Sequence, residues 1–412
     1  MEPPTSHDIL PRVLAFYHHW RKLYGPMHLI WFGRTPRLVV SEPELIREVL
    51  LSRADRFDRY EAHPLICQFE GYGLSNLHGE RWARRRRVLT PAFHTENLRM
   101  VAPFVAGTVG RMLDGLAERA REAEAAGEAE VDVAAWFQRV PQEAITFATF
   151  GRRDYHDGSV VFRLQDELAG YAAEAHSKVY IPGYRFLPTR RNRRVWQLDR
   201  EIRKHLAKFV TDLQSRKDDD DHVDDGGGGG MREFMSFMAP AMTAPEIIEE
   251  SKNFFFAGKE TLIAMIVNET LRLYPPAVAM IRKAKKDVEL GGCVVPAGTE
   301  VMIPILAVHH DAAVWGADAA EFNPARFAAD DAADGHHRRR HPMAFIPFGG
   351  GARVCIGQNM ALMEAKVVLA LVLQRFEFRL SPAYVHAPRV PMILSPQYGA
   401  PVIFRPLTSA AS

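Results

Sequence analysis

Phe348-Gly349-Gly350-Gly351-Ala352-Arg353-Val354-Cys355-Ile356-Gly357 decides how this chain is read. The stretch fits F-x-x-G-x-R-x-C-x-G at all five fixed positions, which average residue frequencies would produce about once in ten thousand chains of this length. A cysteine in such a loop reads as a charged metal ligand. A thiolate needs backbone N–H donors around it, and glycine lets the backbone come that close. A helix predicted over about 357–376 starts just after Cys355, and its positive end would favour the anionic sulfur. Cys67 and Cys293 have no such loop and read as buried structural cysteines. Three cysteines cannot all pair, so a reducing compartment fits better than a secreted one. No Cys-x-x-Cys occurs to suggest a zinc module.

Around this loop the composition is that of an ordinary globular protein, 47% hydrophobic and 25% charged over 412 residues, enough to bury a core and enclose a cofactor. A net charge of +2 gives no reason to expect nucleic acid as a partner. The basic runs Arg84–Arg87 and His336–His341 read mostly as a solvated helix face and a solvated loop. The N-terminus has no basic flank followed by an apolar run, and no stretch of 18 or more apolar residues occurs, so neither a signal peptide nor a membrane-spanning helix is expected.

Residues 9–24 have helical spacing and stop at Gly25. His28–Phe32 and Arg37–Val40 read as a hairpin. Ser41 with Glu44 reads as a capping box opening a helix. From about 80 to 215 the pattern is mostly helical. The Asp/Gly tract at 216–231 reads as a flexible surface loop. Thr243-Ala-Pro-Glu246 is a second capping box, and its helix should reach Thr261. Residues 263–273 look helical and stop before Pro275. Short strands are expected within 288–306, and a strand-like tail closes the chain.

Three further motifs stand in a telling order. Trp82 and Arg86 are four apart and share a helix face. Ala257-Gly258-Lys259-Glu260-Thr261 combines small residues with a carboxylate and a hydroxyl. Glu269 and Arg272 form E-x-x-R, which means little alone but precedes Pro324-Ala325-Arg326-Phe327 and then the cysteine loop.

With these motifs in view, residues 9–261 and 263–406 resemble a plant cytochrome P-450 of the branch that includes brassinosteroid-inactivating hydroxylases. The most telling stretches are Ile181–Thr189, Ala307–Asp311 and Phe322–Phe327. The resemblance implies a mainly α fold with small β-sheets, one cytochrome P-450 domain over 1–412, holding haem b (iron protoporphyrin IX). Cys355 would be the axial iron ligand. Arg353, Trp82, Arg86 and Arg282 would hold the propionates, Phe348 would shield the sulfur, and Gly357 completes the loop. Glu269, Arg272 and Arg326 would form a buried structural triad, while Thr261 and Glu260 would relay protons during dioxygen activation. The implied reaction is hydroxylation of a small lipophilic, sterol-like substrate, with O₂ and electrons from NADPH through an NADPH-cytochrome reductase. Phe254–Phe256, Ala277–Met280 and Ser395–Pro401 would line an apolar pocket. The family sits on the cytosolic face of the endoplasmic reticulum membrane through an N-terminal anchor, which this chain is expected to lack.

One departure stands out. Thr261 and Glu269 are eight residues apart. In the family roughly fifty more lie between those motifs, so the fold is expected to be internally shortened near 262–263. Eight residues span at most about 29 Å extended, or about 12 Å if helical. The alternative expectation is therefore a non-catalytic or misfolding shortened form of such an enzyme.

Overall fold

The computed structural model describes residues 7–123, 127–150, 155–176, 183–219, 242–259, 266–327 and 341–407. They fall into two compact units. One comprises Met1–Tyr60, Ile263–Gln358 and Leu380–Pro401, and the other Glu61–Leu262, Asn359–Arg379 and Val402–Ser412.

The first unit is built on a five-stranded sheet in the order Met27–Phe32, Thr35–Val40, Glu300–Ile303, Met280–Ala284, Phe57–Arg59. The predicted hairpin forms its edge, with Phe32 opposite Thr35 and Gly33 in the left-handed conformation that the tight turn requires. Thr35–Val40 runs parallel to Glu300–Ile303, and the other pairings are antiparallel. Val40, Ile46, Leu50, Val301, Ile303 and Ile346 pack one core of this unit; Tyr17, Val39, Met302 and Leu306 pack another. The helical run before Gly25 is broken at Leu14 into Leu10–Val13 and Ala15–Tyr24.

Three local expectations change here. Ser41 does not cap a helix: it is buried and its hydroxyl donates to the Pro26 carbonyl, while the helix starts at Pro43 behind Glu42. Proline's fixed φ sets that start without a side-chain cap. Ile305 and Leu306, the end of the expected strand run, instead open the buried helix Ile305–His309, because Pro304 ends the ladder. Met280–Ala284 and Phe57–Arg59 are strands that the sequence pattern did not reveal.

The second unit is mainly helical. Its helices include Gly79–Leu89, Thr95–Glu122, Arg139–Phe150, Tyr155–His176, Arg190–Asp219 and Ala244–Lys259. Arg190–Asp219 packs on Tyr155–His176, and Ala244–Lys259 on Arg139–Phe150. A three-stranded sheet of Ala129–Asp132, Pro401–Pro406 and Phe376–Leu380 completes it. Half of the capping box at Thr243 forms: Glu246 accepts from the Thr243 backbone N–H at 2.9 Å, while the Thr243 hydroxyl donates to the same carboxylate at 3.1 Å. The Arg190 helix runs to Asp219, so the Asp/Gly tract begins later than its expected start at 216, and its remainder lies outside the described residues.

The basic run Arg84–Arg87 is not uniformly solvated. Arg85 is buried, donating to Glu250 at 2.8 Å and to Glu246 at 2.6 Å, while Arg84 and Arg87 are exposed. A guanidinium survives burial where carboxylates meet it. Within the other basic run only His341 is described.

Candidate haem-thiolate site

Residues 348–357 form a closed loop in the first unit. The Cys355 N–H donates to the Phe348 carbonyl at 2.9 Å, and Gly351–Arg353 makes one tight turn inside it. Gly349 and Gly351 have φ of 77° and 68°, a region that side-chain-bearing residues rarely occupy. Gly351 has a second constraint. A Cβ there would stand 2.0 Å from the Leu50 carbonyl oxygen, and one on Gly350 would stand 3.2 Å from a Leu50 methyl. The glycines thus seat the loop against the turn Glu48–Ser52, a close approach between two backbones that the sequence did not disclose. Cys355 is half-buried and forms no disulfide. The helix Gln358–Arg375 begins three residues beyond it, with Gly357 just ahead of that start. Of the other cysteines, Cys67 is half-buried, its thiol 3.6 Å from the Ala62 carbonyl, and Cys293 is exposed at a hairpin, not buried as expected. The turn Gly291-Gly292 places it on the outside.

Beside the loop lies a cationic face. Arg353 donates to Asp58 at 2.7 Å. Arg59, next along the strand, is directly opposite Arg282 in the antiparallel pair. Burial, then the charges of Arg353 and Arg59, push Arg282 down to about 10, and Asp58 only partly offsets them. Among the described residues no carboxylate lies within ion-pair distance of Arg282. A group bearing two carboxylates would relieve this imbalance, so the donor set fits the propionates of a haem whose iron Cys355 could ligate. Asp58 and Arg59 were missed in the sequence. Phe57-Asp58-Arg59-Tyr60 shows no period-two alternation, and a three-residue strand leaves no room for one.

The first unit also gathers Glu269, Arg272 and Arg326. Both Glu269 and Arg272 are fully buried. Arg272 grips the carboxylate with two bonds of 2.7 Å and spends its remaining donors on the carbonyls of His309, Ala319 and Glu321. Glu269 also accepts from the Asn323 N–H at 2.9 Å and from Arg326 at 3.3 Å. Trp315 stacks its ring 5.0 Å from the Arg272 guanidinium.

Trp82 and Arg86 belong to the other unit, half-buried on the helix Gly79–Leu89. The helix Ala244–Lys259 is described up to Lys259; Glu260 and Thr261 lie outside the described residues, as do the side chains of Phe254–Phe256. In the expected pocket lining, Val278 is instead buried in a core of the first unit, with Ala279 packed against it.

Comparison with known proteins agrees with this picture. The sequence profile of the family described as Cytochrome P450 matches residues 11–264 and again 261–403. Cytochrome P450 734A5 of Oryza sativa subsp. japonica is 79% identical over 460 residues, covering 100% of this chain and 85% of that protein. Cytochrome P450 734A1 of Arabidopsis thaliana is 46% identical, covering 98% and 85% respectively. The solved structure of retinoic acid-bound cyanobacterial CYP120A1 superposes with a TM-score of 0.78 over 97% of this chain and 96% of its own, at 19% identity, a likeness of fold. The chain therefore belongs to the cytochrome P450 family, the haem-dependent monooxygenases, and has that family's mainly α fold with small β-sheets.

Proposed function

We propose that this chain hydroxylates a sterol-like lipid, a brassinosteroid side chain being the best-supported substrate, using electrons from NADPH delivered by a flavoprotein reductase. The observation that carries the proposal is the 79% identity to Cytochrome P450 734A5, added to the resemblance to the brassinosteroid-inactivating branch. When bound, haem supplies dioxygen activation, and a thiolate ligand favours O–O cleavage. The chain's own residues then have separate tasks. Cys355 holds the iron. Arg353 and Arg282 hold the carboxylates, and the family resemblance gives Trp82 and Arg86 the same task. Phe348 shields the sulfur. Glu260 and Thr261 pass protons to the reacting centre and control when they arrive. Glu269, Arg272 and Arg326 stiffen the first unit. Purified holoprotein with reductase and NADPH should convert a brassinosteroid to a product one oxygen heavier, and leave a triterpenoid and a fatty acid unchanged. Conversion of either of the latter alone would refute the substrate reading.

The proposed location is the cytosolic face of the endoplasmic reticulum membrane. In the first unit Phe16, Trp20 and Tyr24 recur every four residues on one helix, with Tyr24 62% exposed, and Trp31 is 66% exposed on the neighbouring hairpin. Exposed aromatics of this kind suit a lipid interface. Among the described residues no helix is long and apolar enough to cross a membrane. Flotation with phosphatidylcholine–phosphatidylserine vesicles should recover the parent and not a Trp20→Ser, Trp31→Ser variant. Equal recovery of both would refute this location.

A second reading is that the chain is a non-catalytic shortened form. The family match breaks and restarts at 261–264, and alignment with Cytochrome P450 734A5 takes 460 positions to accommodate 412 residues. That surplus is close to the fifty residues expected between Thr261 and Glu269. A holoprotein that binds carbon monoxide but gives no turnover would favour this reading, and turnover would exclude it.

A further inference from the structure

The carboxylate of Asp58 stands among arginines that the haem carboxylates would otherwise be expected to claim. Its Oδ1 accepts from Arg353 Nη2 at 2.7 Å and from the Arg59 backbone N–H at 2.8 Å. Both partners of the ion pair are largely shielded, with side chains 16% and 19% exposed. Strand pairing sets Arg59 opposite Arg282 and Asp58 opposite Lys283. This one side chain thus ties the cysteine loop to the edge strand, where it also lies within the field of the buried Arg282.

We propose that Asp58 is the positioning residue of this cationic face: it fixes the Arg353 guanidinium where a haem carboxylate can meet it and keeps the clustered arginines from driving one another apart. Guanidiniums crowded at an edge strand repel one another strongly when water is scarce. A carboxylate fixed by the backbone counters that repulsion without itself moving, and holds the planar Arg353 guanidinium in one orientation. Such supporting partners set the geometry of the groups that touch a cofactor. The proposal rests on the haem reading of the site.

Two effects oppose each other when Asp58 is neutralised. The extra positive charge attracts haem carboxylates more strongly, while the loss of the 2.7 Å bond frees Arg353. Positioning wins if Asp58 has the role assigned here. The test compares the parent holoprotein with Asp58→Asn and Asp58→Glu. Transfer of haem to excess apomyoglobin should be about ten-fold faster from Asp58→Asn, the usual scale for losing a supporting partner. The midpoint reduction potential of that variant should shift to more positive values, because removing an anion from the face that would hold the haem favours the reduced form. Asp58→Glu should restore both properties towards those of the parent. Haem held as long or longer by Asp58→Asn overturns the proposal. Faster loss with an unchanged potential also overturns it, since a merely structural staple would behave that way. A parent chain that takes up no haem overturns the cofactor reading and this inference together, whereas a parent that loads haem and a variant that matches it overturn this inference alone.

Discussion

Replacing Glu269 by Gln isolates the electrostatics of the buried triad at nearly constant volume. The carboxylate accepts four hydrogen bonds, two from Arg272, one from Arg326 and one from the Asn323 N–H. An amide offers one acceptor oxygen and turns an NH₂ towards groups that are themselves donors. Arg272, fully buried, would then be left without a formal counter-charge. Breaking a buried ion pair from one side costs about 3–5 kcal/mol, a large share of the roughly 5–15 kcal/mol that holds a typical domain together. At a denaturant slope of about 3 kcal/mol per molar, the urea midpoint should fall by about one molar or more. Unfolding of purified parent and variant, followed by far-ultraviolet circular dichroism, measures this directly. A fall of less than about 0.3 M, equivalent to under 1 kcal/mol at that slope, would refute the claim that the triad is a principal support of the first unit.

Gly351→Ala places a methyl against the Leu50 carbonyl in a backbone conformation that alanine resists. Overpacking of this kind costs about 1–3 kcal/mol, so the variant should melt several degrees lower in differential scanning calorimetry; an unchanged melting temperature would contradict the packing of the loop. His309 is fully buried and accepts the Ile346 N–H at 3.0 Å. Burial first, then His310 and Arg272, lower its pKa from 6.5 to about 3, with the nearby backbone of Leu271 and Arg272 opposing. The unfolded chain therefore binds the extra proton first, and stability should fall as pH drops below 6.5, by up to about 1.4 kcal/mol per pH unit from this group. Urea titrations between pH 7 and 5 should show that slope diminished in His309→Gln; equal slopes would contradict it.

What the sequence disclosed was local chemistry with a strict spacing. The cysteine loop, the box at Thr243 and the Phe32–Thr35 hairpin each depend on residues within about ten positions, so their reading needed no tertiary knowledge. Glu269 and Arg272 share a helix turn, and the resemblance supplied Arg326. Hidden features depended on distant partners. Arg85 looks like its neighbours in a basic run until Glu246 and Glu250 meet it from a helix some 160 residues on. Asp58 and Arg59 sit on a three-residue strand whose partner lies more than 220 positions away, so alternation had no length in which to show itself. Ser41 carries a capping residue's side chain, yet Pro43 starts the helix and the hydroxyl turns to Pro26. Glu260 and Thr261 rest on motif and resemblance alone.

The most direct test of the account is the visible spectrum of reduced, carbon monoxide-bound protein before and after Cys355→Ser. The account predicts the long-wavelength Soret band of thiolate-ligated haem in the parent and its loss in the variant, with circular dichroism showing both chains folded. The same band in both proteins would contradict the assignment of Cys355 as the iron's ligand.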